Sequence, residues 1–180
     1  MSNFLKKLTS LFPKKETKPT KIKVCWDFLS EMLGPFLLLT KDEEDELNKL
    51  DDQDPNVLRA IIQEYVVPHY RYFPPENQEK IKNTLTYYLA TNSEKLAWVF
   101  PSHYVPFLDD QLAKLFYTLV WQELYGTDFP EQINPDDYVE DCSIPFINSL
   151  LYSSLLEKKH NPDGKEPSID NIKARLEKQS

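Results

Sequence analysis

Apolar positions recur along this chain at intervals of three and four, the period of helices that bury one face. Asp54-Pro55 reads as an N-cap followed by proline at the first helical position. Val57, Leu58, Ile61, Ile62, Tyr65 and Val66 then keep one stripe until Pro68, where the helix is expected to end. Pro74-Pro75-Glu76 opens a second helix with Ile81, Leu85, Tyr88 and Leu89 inward. Thr40 with Glu43 makes a capping box before an acidic helix reaching Leu50. "WDFLSEML" predicts a short helix ended by Gly34-Pro35, and Asn92 is expected to cap "SEKLAWVF" up to Pro101.

The longest apolar helix is expected from about Pro106 to Tyr125. Leu108, Leu112, Leu115, Phe116, Leu119 and Val120 form its stripe, and Tyr117, Trp121 and Leu124 make it apolar most of the way round, as in a central helix. Gly126 is placed just past its end. A loop rich in Pro and Asp runs to Cys142, Ser143-Ile144-Pro145 opens another helix, and Ser168 caps a last one with Ile169, Ile172 and Leu176. No alternation is long enough to predict a strand. The expected fold is therefore all-α: a single compact domain of about seven or eight short helices around a central helix, with a separate N-terminal amphipathic helix.

That N-terminal helix is "NFLKKLTSLFPKK". At 100° per residue Phe4, Leu5, Leu8, Leu11 and Phe12 share an arc of about 120°, opposite Lys6, Lys7, Thr9 and Ser10. Pro13 stops it, and "KKETKPTK" follows as a polar linker. Residues 1–21 are thus set apart as a basic segment and linker, and 22–180 as the acidic helical domain.

Charge sharpens that division. Of 180 residues with net charge −8, the first 23 carry +6 and the remainder −14. Phosphate binding requires clustered Lys and Arg, so so acidic a body disfavours nucleic acid and points to a basic protein partner. Hydrophobic residues at 41% are enough to build a core in a chain of this length.

Chemistry is sparse. Three glycines exclude glycine-rich phosphate loops. His69, His103 and His160 form no zinc-ligand pattern, neither "DDQDPNVL" nor "NPDGKEPS" has EF-hand spacing, and no nucleophile elbow is present. His69-Tyr70 and His103-Tyr104 stand 34 residues apart, a spacing like that of helical-hairpin repeats, but the surrounding prolines fall out of register. Cys25 and Cys142 read as two buried thiols in a reducing compartment; a disulfide between them is permitted but nothing in the spacing indicates it. No secretory leader pattern or bilayer-length apolar run is found, which points to a cytoplasmic protein. No enzyme activity, metal or cofactor is expected.

Two acidic stretches stand out. Asp42 to Asp54 holds eight acids; for acidic surface of this kind, here and in the stretch below, the plain reading is a solvated face that keeps the protein soluble and the alternative is docking of a basic protein. Leu115 to Glu157 holds eight more with no Lys or Arg. In it Asp128, Glu131, Asp136, Asp137, Glu140 and Asp141 cluster with Phe129 and Tyr138, the mixture of charge steering and aromatic anchors that docking surfaces use. The expected function is a non-enzymatic binding protein of immunity or inhibitor type that neutralises a basic partner such as a toxin nuclease. The alternative is a peripheral membrane adaptor, at the inner face of the membrane, anchored through Phe4, Leu5, Lys6, Lys7, Leu8, Leu11 and Phe12. Burial of the five apolar side chains, about 1.5–3 kcal/mol each and half realised at an interface, with about 1 kcal/mol per lysine, nearly cancels the cost of ordering the segment. Only weak binding to anionic lipid is expected.

Overall fold

The computed structural model describes residues 20–91, 93–98, 112–129, 132–143 and 167–178. The N-terminal amphipathic segment, His103, Glu131, the start of the long apolar helix and the helix expected after Ser143 lie outside the described residues.

The chain enters through a short strand, β1 (Ile22–Val24), and turns at Cys25 and Trp26 into α1 (Asp27–Ser30). Gly34-Pro35 does not stop the chain here. The helix tightens instead into a 3-10 segment, Glu31–Leu38, with Pro35 inside it and Met32, Leu33 and Phe36 buried. Thr40 then forms the expected capping box: its hydroxyl accepts from the Glu43 N–H, and the Glu43 carboxylate accepts from the Thr40 N–H at 2.7 Å, opening α2 (Lys41–Leu47).

Asp54 caps α3 (Pro55–Ile61), its carboxylate accepting from the Asn56 N–H at 2.8 Å. The expected stop at Pro68 is also corrected. A π-helical turn, Ile62–Val66, precedes α4 (Val67–Tyr72), and Pro68 sits in the first turn of α4. Proline lacks an N–H and its ring crowds the carbonyl four residues back. Widening the turn, so that Val67 donates to the carbonyl of Ile62 five residues earlier, lets the helix continue past it. The predicted stripe is nevertheless right, since Val57, Leu58, Ile61, Ile62, Tyr65 and Val66 are all buried.

Pro75–Thr91 forms α5, with Ile81, Leu85, Tyr88 and Leu89 inward. A 3-10 segment, Ser93–Trp98, follows. Ala113–Tyr125 is α6, ended by Gly126 at φ +66°. That left-handed conformation strains a residue bearing a Cβ, which is why glycine suits the position. Against α6 pack α3, the π turn, α4, α5 and the Ser93–Trp98 segment, so it occupies the central position its sequence suggests. Ser168 caps α7 (Ile169–Glu177), which lies on α2 and α3 with Ile169 and Ile172 buried.

The described residues are thus mostly helical, but not purely so. Pro135–Asp137 forms a 3-10 turn and Tyr138–Glu140 a second strand, β2, in parallel register with β1: Ile22 opposite Tyr138, Lys23 opposite Val139, Val24 opposite Glu140. Just beyond this pairing Cys25 and Cys142 are joined in a disulfide. Two reduced thiols, both buried, are therefore not what the fold contains: Cys25 is buried, Cys142 is exposed, and the two are bonded. Parallel pairing brings together residues 117 apart in sequence, a proximity that spacing alone does not reveal.

Candidate functional site

The described residues of the acidic stretch 126–143 are carried on the outside of the helical body. Among its described residues none is buried. It leaves the central helix at the left-handed Gly126, and its first anchor is Phe129. That ring is half-buried, edge-on to Trp121 at 5.3 Å between centroids, so Phe129 ties the stretch to the core rather than standing out as a docking anchor. Asn134 caps the next turn, its side chain accepting from the Asp136 N–H. β2 follows, held by the ladder to β1, by Asp141 N–H donating to the Val24 carbonyl at 2.9 Å, and by the disulfide.

The candidate acids separate into two groups. Glu140 pairs with Lys95, and Asp141 pairs with Lys23 at 2.9 Å while accepting from the Ser143 N–H and hydroxyl. The Ser143 hydroxyl, then Lys23, hold the Asp141 carboxyl down to about 2. These two acids are compensated within the chain, and their role in the structure is to fasten β2. Asp128, Asp136 and Asp137 are exposed, and among the described residues no cation pairs with them. Of the candidate acids they are the ones without an ion pair among the described residues. Glu131 lies outside the described residues.

Aromatic surface meets this strip. Tyr138 is half-buried and its ring lies 5.5 Å from that of Tyr87. Val139 is 39% exposed beside it. Lys95, whose ammonium pairs with Glu140, also lies over the rings of Tyr88 at 5.8 Å and Trp98 at 5.9 Å. Trp98 presents 59% of its surface, the largest exposure among the big described hydrophobics. Neither Trp98 nor Lys95 stands out in sequence as part of this surface, because Lys95 lies 45 residues before the Glu140 it pairs with. The only sequence signal was a tryptophan three residues after a lysine.

The other acidic stretch is taken up by the fold in part, while Asp42 and Asp51 stay exposed. Glu43 belongs to the capping box, Asp45 pairs with Lys41 at 3.0 Å, Glu46 pairs with Lys49 and with Lys173, and Asp54 is an N-cap. Hydrogen bonds from Lys173 and then Lys49 hold the Glu46 carboxyl down to about 2.

His69 is not a loop residue. It lies in α4, its Nε2–H donates to the Glu31 carbonyl at 2.9 Å, and its ring is edge-on to Phe73. Burial pulls its imidazole down to about 4, partly opposed by that hydrogen bond. Convergence with His103 falls outside the described residues. Among the described residues no group of three or more His, Cys, Asp or Glu could hold a metal ion, and no helix is long and apolar enough to cross a membrane.

Sequence reasoning also missed Glu64. It sits in the π turn, buried, and its carboxylate accepts from the Ser168 N–H at 3.1 Å, from the Asn171 side chain at 2.7 Å and from Arg175 at 3.3 Å. A buried carboxylate so completely satisfied clamps α7 to the body. Compared with known proteins, the chain matches no family model, no curated protein and no solved structure.

Proposed function

We propose that this chain is a non-enzymatic docking protein of inhibitor or immunity type, which neutralises a basic protein partner by covering its working surface. The observation that carries the reading is the surface around β2. Asp136 and Asp137, uncompensated, lead directly into a strand that exposes Val139 and is linked through Lys95 to the exposed Trp98. Acids without an ion pair supply long-range attraction, and an exposed aromatic such as Trp98 supplies the desolvated contact that holds a complex together. A cationic nuclease is a partner of this chemistry. The test is capture from the native host on immobilised protein, with a variant carrying Asp128→Asn, Asp136→Asn and Asp137→Asn as control. The reading expects a basic protein retained by the native chain and lost with the variant; equal retention by both removes this surface.

The adaptor alternative rests on the sequence of Phe4 to Phe12 and has its own lipid-binding test below. The cytoplasmic placement stays a proposal on which the disulfide bears directly: such bonds persist in oxidising compartments, and a reducing one opens them.

A further inference from the structure

We infer that the Cys25–Cys142 bond is a redox fastener: its reduction releases the Gly126–Ser143 stretch from β1 while the helical body stays folded. The consequence for partner binding rests on the reading of that stretch as the docking surface.

The two ends of the bond differ in surroundings. Cys25 is 1% exposed and belongs to the core cluster, whereas Cys142 is exposed in a turn. An external thiol can therefore reach the bond from the Cys142 side. At the other end of the stretch Phe129 stays packed on Trp121, so what reduction frees is the β2 end, and what else holds that end is slight. The ladder is three residues long, the ion pairs of Lys23 and Lys95 lie at the surface, and Tyr138 makes a ring contact with Tyr87. The Lys23–Asp141 pair is screened by solvent and holds weakly; the Lys95–Glu140 pair, more sheltered, is the firmer of the two. None of the described residues of the stretch is buried, whereas the core runs from Cys25 through α1, the π turn, α5, α6 and α7. Opening the bond removes the one covalent tie and leaves that core in place, with Cys25 still seated in it.

The reductant is a dithiol, of the kind supplied by a thioredoxin-type protein. Its thiolate attacks Cys142 Sγ, the Cys25–Cys142 bond breaks, and the electron pair leaves on Cys25 Sγ, which takes up a proton. The second thiol of the reductant then attacks the mixed disulfide and frees Cys142 as a thiol. Two protein thiols form and the dithiol becomes a disulfide.

The experiment is hydrogen exchange on the full chain, oxidised and with dithiothreitol, alongside Cys142→Ser. Release predicts that amides of residues 22–24 and 138–141 exchange at least about tenfold faster in the reduced chain and in Cys142→Ser, while α3, α5 and α6 keep their protection and Cys142→Ser no longer responds to dithiothreitol. Unchanged exchange at β1 and β2 on reduction overturns the inference. So does loss of protection throughout, which would make the bond a staple for the whole fold. A fluorescent decalysine peptide at low salt then separates the two ideas. Tighter binding to the oxidised chain, by about tenfold or more, supports both. Binding that is equal in both forms, with β1 and β2 released, supports the fastener and overturns its link to docking; binding absent in both forms supports the fastener and overturns the docking reading.

Discussion

Replacing Glu64 by Ala tests the clamp on α7. The carboxylate is 3% exposed and accepts three hydrogen bonds, two to Oε1 from the Ser168 N–H and Asn171 and one to Oε2 from Arg175. A hydrogen bond to a charged group contributes about 1.5–3 kcal/mol, but three made by one carboxylate do not add fully. Arg175 is also 43% exposed, so its share is screened by solvent. Alanine leaves the Ser168 N–H and the Asn171 amide facing a void, and we expect a loss of about 3 kcal/mol, within the range for breaking one side of a buried polar pair. In a chain of this size that corresponds to a fall in Tm of about 6–12 °C. Glu64→Gln keeps the shape and one acceptor oxygen, so about 1–2 kcal/mol is expected. Urea unfolding gives the global loss, and hydrogen exchange over residues 168–177 gives the local one. A loss under about 0.5 kcal/mol for Glu64→Ala, with α7 as protected as before, would refute the clamp.

One further outcome follows from buried titratable groups and one from the N-terminal sequence. Burial, with Asp27 adding, pushes the Glu31 carboxyl up to about 7, so its contribution to stability is present at low pH and lost as pH rises from about 4.5 to 7. His69, pulled down to about 4, acts in the opposite direction and costs stability as pH falls from about 6.5 toward 4. Glu31→Gln should therefore stabilise the chain more at pH 8 than at pH 5, and His69→Gln should flatten the acid side; urea midpoints that shift equally at both pH values contradict this. For the N-terminal segment, the full chain should co-sediment weakly with anionic liposomes and a chain starting at Lys21 should not; equal sedimentation of the two removes the adaptor reading.

Local punctuation was the most legible part of the sequence. Thr40 with Glu43, Asp54-Pro55, Ser168 and Gly126 each act through neighbours within a few residues, and each sits where its chemistry requires. The inward stripes of α3, α5 and α6 follow from helical period alone. Pro68 misled because a proline's effect depends on the turn before it, and the π turn that accommodates it has no sequence signature of its own. β1 and β2 are three residues each, too short for alternation to register, and their pairing spans more than 100 residues. The disulfide is hidden for the same reason. Glu64 reads as one more polar position beside an apolar stripe, because its three partners come from the last helix, more than 100 residues away. The acidic stretch was visible as charge, but only the structure separates Glu140 and Asp141, spent on Lys95 and Lys23, from Asp128, Asp136 and Asp137.

That separation gives the docking proposal its most direct test, which is the association rate with the captured basic partner as a function of ionic strength. The native chain is compared with one in which Asp128, Asp136 and Asp137 are changed to Lys, leaving the pairs that fasten β2 intact. Steering by these exposed acids predicts association slowed by about tenfold or more at low salt, with the difference shrinking as added salt shortens the screening length below about 10 Å. Equal rates for the two chains at low salt, or a difference that does not change with salt, would contradict the account.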